Sequence, residues 1–96
     1  MPFSYGPYHF SKETVDQHQN HGFCVYGLSR SASQIGIAYV GRSTTLRDRL
    51  NYWLSNPPGY GLTHFFAEAF ETEAQMIARE ERLIKEFQPA LNTLLK

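Results

Sequence analysis

The sequence predicts a mixed α/β fold, a small three-stranded antiparallel sheet flanked by helices. Two stretches rich in β-branched and aromatic residues, Phe23-Cys24-Val25-Tyr26-Gly27-Leu28 and Ile35-Gly36-Ile37-Ala38-Tyr39-Val40, flank a polar segment at 29–34. That pattern is a hairpin with a long loop. From Ser43 the period changes, with Leu46, Leu50, Trp53 and Leu54 at helical spacing, and a third apolar stretch then leads into a second helical run. The order strand, strand, helix, strand, helix offers no strand-helix-strand repeat long enough for a doubly wound sheet.

Each element has its own local signal. Residues 1–21 read as an N-terminal extension, polar and aromatic without clear period, in which Ser11 before Lys12-Glu13-Thr14-Val15 opens a short helix. Residues 22–96 form the domain proper. Tyr26 and Tyr39, placed opposite each other in the hairpin, share one face of the sheet. Thr45 with Asp48 fits the hydroxyl-x-x-acid helix start, and Ser55-Asn56-Pro57-Pro58-Gly59 ends that helix. Leu62 to Phe70 is the third strand. Thr72 with Gln75 forms a capping-box pattern for a helix running to Phe87, Pro89 stops it, and Ala90 to Leu95 is an apolar tail packing back on the sheet.

Ninety-six residues suffice for one domain and leave no room for a second. An apolar share of 42% with 15% aromatics excludes a disordered chain. The single cysteine, Cys24, cannot form an internal disulfide, and no Cys/His cluster has zinc spacing, so a reducing compartment is expected. The first residues lack the basic and apolar parts of a secretory signal, and no apolar run reaches membrane-spanning length. A soluble cytoplasmic protein without membrane contact is the expectation. Zero net charge argues against a general DNA-coating role, but the charges are segregated. Between Arg30 and Arg49 four arginines face Asp48 alone, whereas between Glu68 and Glu86 six glutamates face Arg79, Arg82 and Lys85. A neutral chain of this kind can still turn a basic face to phosphates, although solvated helix faces explain the same pattern.

Three positions need more than stability to explain them. Glu80 has Met76, Ile77, Leu83 and Ile84 as its neighbours one turn away, so it lies on the core-facing stripe of its helix. A carboxylate there should be protonated, paired or bound to metal, with escape to water or to an arginine as the plainer alternative. Glu81, by contrast, faces Lys85 as a solvated pair. Arg47 and Arg49 occupy the first turns of a helix, where the dipole disfavours cations. Following Tyr39-Val40-Gly41-Arg42, they suit a phosphate site, against the alternative of a solvated face with Asp48 as partner. His9, His18 and His21 lie in a polar segment and receive no role. His64, beside Phe65 and Phe66, reads as a structural histidine, and Cys24 as a small buried hydrophobe.

Taken in order, these residues resemble the GIY-YIG nuclease signature. Cys24-Val25-Tyr26 stands where that superfamily has Gly-Ile-Tyr, and Tyr39-Val40-Gly41 where it has Tyr-Ile-Gly. Thr45 to Leu50 resembles the following helix start, with Arg49 matching its arginine. Glu80 with Leu83-Ile84 is similar to Glu-x-x-Leu-Ile, and Pro89-Ala90-Leu91-Asn92 to the closing Pro-x-x-Asn. The departures are Cys24 for glycine, Arg42 where some relatives carry lysine, and Trp53 where some carry histidine.

The resemblance implies a metal-dependent endonuclease acting on DNA rather than RNA, with single-stranded or structured DNA favoured. An inactive GIY-YIG-like module binding nucleic acid or protein is the rival. The same resemblance implies that Glu80 holds one Mg2+ or Mn2+, and that Tyr26 deprotonates or positions water with Tyr39 as partner or substitute. Arg49 would neutralise phosphoryl charge with help from Arg42 and Arg47, Asn92 would hold the site together or touch substrate, and Gly41 would allow close backbone approach. A phenol of ordinary pKa, about 10, is a poor base at neutral pH, so nearby positive charge or metal must depress it.

Overall fold

The computed structural model describes residues 3–20 and 22–94. Its elements in chain order are β1 (Tyr5–His9), α1 (Lys12–Asp16), β2 (Phe23–Ser29), a 3-10 turn at Gln34–Gly36, β3 (Ile37–Ser43), α2 (Leu46–Ser55), β4 (His64–Phe70), α3 (Glu73–Phe87) and α4 (Ala90–Leu94). The strands form one antiparallel sheet in the order β1-β4-β2-β3, which leaves β1 and β3 as its edges. The mixed α/β class stands, with four strands instead of the three expected.

The extra strand is β1. Its sequence, Tyr5-Gly6-Pro7-Tyr8-His9, shows no alternation because nearly all of it is exposed, and an edge strand tolerates the proline that hides it from a pattern search. The rest of the N-terminal segment is equally built in. Phe3 and Val15 are buried in opposite cores, and the Ser11 side chain caps α1 by accepting from the Thr14 N–H. His21 and Leu95, both named in the sequence reading, lie outside the described residues.

Helices cover both sheet faces. On one, Val15 of α1 and Leu46 and Leu50 of α2 pack on Cys24, Tyr26, Leu28, Phe65 and Ala67. On the other, Met76 and Leu83 of α3, joined by Phe3, pack on Val25, Ile37, Val40 and Phe66. The odd-even alternation of β2 sorts Tyr26 to the first face and Val25 to the second, so the two motif tyrosines and the α3 stripe begin on opposite sides of the sheet.

Three boundaries shift for local reasons. β3 begins at Ile37, because Ser33 accepts from the Ile35 N–H and holds 34–36 in a 3-10 turn, leaving Ile35 94% exposed. Thr45 is the N-cap of α2 yet makes no side-chain cap bond; the N–H of Asp48 instead donates to Asn20 Oδ1 at 3.3 Å. The expected tail is helical and packs on β3 as α4. The Thr72/Gln75 capping box is present as read.

Glu68 carries a stability role that the sequence reading passed over. On the α3 face of β4 it accepts from Arg79 Nε (2.8 Å), Ser4 N–H (2.7 Å) and Ser4 Oγ (2.8 Å), fastening the N-terminal segment, β4 and α3 together. Burial pushes its carboxyl upward, but the bonds from Arg79 and Ser4 outweigh it and hold the group below its ordinary 4.5. A depressed acid stabilises the fold above its unfolded value and loses that contribution as pH falls through the folded one. Glu68→Gln should therefore cost about 3 kcal/mol at pH 7 and flatten the loss of stability below pH ~4.5, as measured by urea titration across pH.

Candidate active site

Most of the candidate residues gather along the edge strand β3, the two tyrosines on one face of the sheet and Arg42 with Glu80 on the other. In the hairpin Tyr26 pairs with Gly41 and Leu28 with Tyr39, so the two tyrosines are diagonal neighbours on one face, not opposite partners. Their ring centroids are 6.2 Å apart. A Cβ on Gly41 would lie 2.6 Å from the Tyr26 hydroxyl and 2.9 Å from the Tyr39 ring. Glycine is required there because any side chain would fill the space the two phenols use.

Trp53, on α2 one turn after Arg49, fixes the inner phenol. Its indole Nε1–H donates to the Tyr26 hydroxyl oxygen at 2.7 Å, and its ring packs edge-on against Tyr39 at 5.3 Å. An indole can only donate, so in this bond the Tyr26 hydroxyl oxygen is the acceptor and its own proton is not used. The neighbouring Tyr39 holds Tyr26 in its neutral form, and Tyr26 in turn eases the ionisation of Tyr39, so the outer phenol is the more readily ionised of the two. The sequence signal for Trp53 was a half-buried indole needing an acceptor, masked by its place in the apolar stripe.

Burial pushes the Tyr26 hydroxyl well above the ordinary phenol range; the Trp53 bond and Arg49 work downward without cancelling it. Tyr39 is raised first by burial and then by the negative charge of Glu80, with the neighbouring Tyr26 hydroxyl and Arg49 opposing. The expectation that a phenol is brought toward neutrality is thus not met by the charges of the chain itself, because desolvation is the larger influence.

Glu80 and Arg42 approach from the other face. Arg42 leaves β3 toward α3, and its Nη1 lies 3.5 Å from Glu80 Oε1, whose side chain is 18% exposed. Burial raises the Glu80 carboxyl, Arg42 lowers it, and Glu81 adds a smaller upward push. Glu80 is therefore inward-facing and paired with an arginine, on the opposite face of the sheet from the phenols, and its charge still bears on Tyr39. Its position follows from the apolar stripe, since Met76 and Leu83 are buried and Ile77, Ile84 and Phe87 pack beside them.

Asn92 secures the edge strand. Its Oδ1 accepts from the Val40 N–H and its Nδ2 donates to the Val40 carbonyl, both at 2.8 Å, so α4 occupies the backbone groups that an edge strand leaves open. That bond pair sits between Tyr39 and Gly41. Arg49, exposed on α2, reaches both phenols electrostatically and carries its guanidinium 5.9 Å from the Tyr52 ring centroid. Arg47 is not part of this cluster: it faces Asp48 at 3.9 Å and acts on Asp16 of α1.

The histidines stay structural in setting. His18 Nδ1 bonds to the Thr14 carbonyl and its ring packs on Tyr8 and Phe65, while His64 Nδ1 bonds to Thr63. Among the described residues, no three His, Cys, Asp or Glu side chains gather where they could hold a metal ion. An ion at Glu80 would therefore have one protein carboxylate and take its other ligands from water and substrate oxygens. That suits Mg2+ or Mn2+, which keep several waters, and does not suit a closed zinc site.

The arrangement is that of a small α/β domain with phenols, guanidinium groups and one half-buried carboxylate around a sheet edge. Its fold is that of the GIY-YIG endonuclease domain. Two crystal structures of the GIY-YIG N-terminal endonuclease domain of UvrC from Thermotoga maritima superpose with a TM-score of 0.65 at 20% identity, covering 84% of this chain and 97% of theirs. Both are point mutants, one asparagine to alanine and one tyrosine to phenylalanine, and both are bound to their catalytic divalent cation. No family model matches the chain, and no curated protein sequence matches it. Among the described residues no helix is long and apolar enough to cross a membrane.

Proposed function

We propose that this chain is a metal-dependent endonuclease that hydrolyses phosphodiester bonds in DNA, favouring single-stranded or structured DNA. The observation that carries the reading is the phenol pair: a glycine-cleared space holding Tyr26 and Tyr39, locked by Trp53, with the charges of Arg49 and of Glu80, the latter from the opposite face, both bearing on Tyr39. A stable core needs neither the clearance nor the inward carboxylate.

Glu80 would hold one Mg2+ or Mn2+, which when bound polarises the scissile phosphate and stabilises the leaving oxygen. Tyr39, the outer and less buried phenol, positions the attacking water by accepting a hydrogen bond from it at the hydroxyl oxygen; as the phenolate, its own proton already released to solvent, it takes the water's proton and returns to the neutral phenol, with Arg49 stabilising the phenolate beforehand. Arg49 neutralises charge on the phosphoryl oxygens, and Arg42 can turn from Glu80 toward the same phosphate. Asn92 and Gly41 act as positioning residues through the β3 backbone.

The Arg42–Glu80 pair favours one other reading, an inactive GIY-YIG-like module that binds nucleic acid or protein, with the arginine standing where a cation would neutralise the acid. Incubation with single-stranded, duplex and branched DNA in Mg2+ or Mn2+, with chelator controls, separates the two. Metal-dependent cleavage, fastest on unpaired substrates, is expected. Salt-sensitive binding without cleavage in any metal supports the inactive module instead.

A further inference from the structure

Tyr52 is an aromatic side chain 52% exposed, on the helix that carries Arg49. The Arg49 guanidinium sits 5.9 Å from its ring centroid, and the Trp53 ring meets it edge-on at 5.1 Å. Trp53 in turn packs on Tyr39, and Tyr39 on Tyr26, so four rings run in a line from the buried phenol to the surface. The cation–π contact is the structural return on this position, and at an exposed site such a contact contributes only about 0.5–1 kcal/mol. That does not account for a large apolar ring left half in water beside the phosphate-binding arginine.

We propose that Tyr52 is a stacking platform for an unpaired nucleobase next to the phosphate that Arg49 neutralises. The proposal rests on the nuclease reading and names its substrate class. Every base has a π face, so the platform is tolerant of sequence. A base inside a duplex already has both faces covered by its neighbours, so the ring takes only a base that is single-stranded or splayed out. Arg49 serves both contacts, holding the ring on one side and the phosphate beyond it, and the rigid Trp53 fixes the angle of the ring.

The test uses a single-stranded oligonucleotide and the same strand with one abasic residue placed on either side of the mapped cleavage point. Stacking on one aromatic is worth roughly 1–3 kcal/mol, so Tyr52→Ala should raise KM on the intact strand about 10-fold while kcat stays within about twofold. Tyr52→Phe should restore the wild-type KM. The wild type should lose the same factor on the abasic strand, and Tyr52→Ala should not distinguish the two strands. Fluorescence of Trp53, the single tryptophan, should be quenched by the intact strand in the wild type and less so by the abasic one. An unchanged KM for Tyr52→Ala on the intact strand overturns the platform and leaves the nuclease reading in place. A wild type that neither binds nor cleaves any of these strands overturns the nuclease reading itself.

Discussion

Glu80→Ala is expected to lower kcat by about 1000-fold or more on every substrate that the wild type cuts. The carboxylate is the candidate anchor for the divalent cation, and a metal's stabilisation of transition-state charge amounts to several kcal/mol, each ~1.4 kcal/mol being tenfold in rate. Stability should move the other way. Glu80 has its folded pKa raised, first by burial, so its ionised form weakens the fold at neutral pH and that cost is relieved as pH falls through the raised value. Glu80→Gln should therefore increase Tm in the absence of metal by roughly 4–8 °C, for a gain of about 1 kcal/mol. Glu68, with its lowered pKa, has the opposite sign, so the two glutamates separate a structural acid from a functional one. Thermal unfolding with chelator present, run beside single-turnover cleavage, checks both halves.

The second large effect is an asymmetry between the tyrosines. Tyr39→Phe should reduce kcat roughly 100- to 10,000-fold, the range for loss of a positioned proton acceptor. Tyr26→Phe should reduce it less, about 10-fold, but should destabilise the protein by about 1–3 kcal/mol because the Trp53 indole loses its acceptor. Reversed magnitudes would assign the water to Tyr26. The pH profile provides a signature that a packing role would not move. Arg49 lowers and Glu80 raises the Tyr39 hydroxyl, so Arg49→Ala should shift its tyrosinate titration to higher pH and Glu80→Gln to lower pH.

The sequence made most of this site readable because its devices are local. The β-branched and aromatic run at 23–28 marked the strand that carries Tyr26, and the apolar stripe of Met76, Leu83 and their neighbours turned Glu80 toward the core. Gly41 was singled out for close approach, and the register shows what approaches it. What stayed hidden depends on pairing between distant segments. β1 is a strand only because β4 offers it an edge, and no propensity in Gly6-Pro7 announces that. The Asn20 bond to the start of α2 and the Glu68 contact with Ser4 span long separations in the chain, so no short window of sequence contains both partners. Arg47 was grouped with Arg49 by proximity in sequence, yet two residues on a helix differ by about 200° in direction, and Arg47 faces α1 instead. Trp53 looked like core because the same face that packs on Leu50 also donates to Tyr26.

Manganese binding tests the central claim most directly, since it reads the carboxylate without requiring turnover. Titration of Mn2+ followed by electron paramagnetic resonance, on wild type and Glu80→Ala, should find one saturable site per chain in the first and none in the second. Equal binding in the two proteins would place the ion elsewhere and contradict the account.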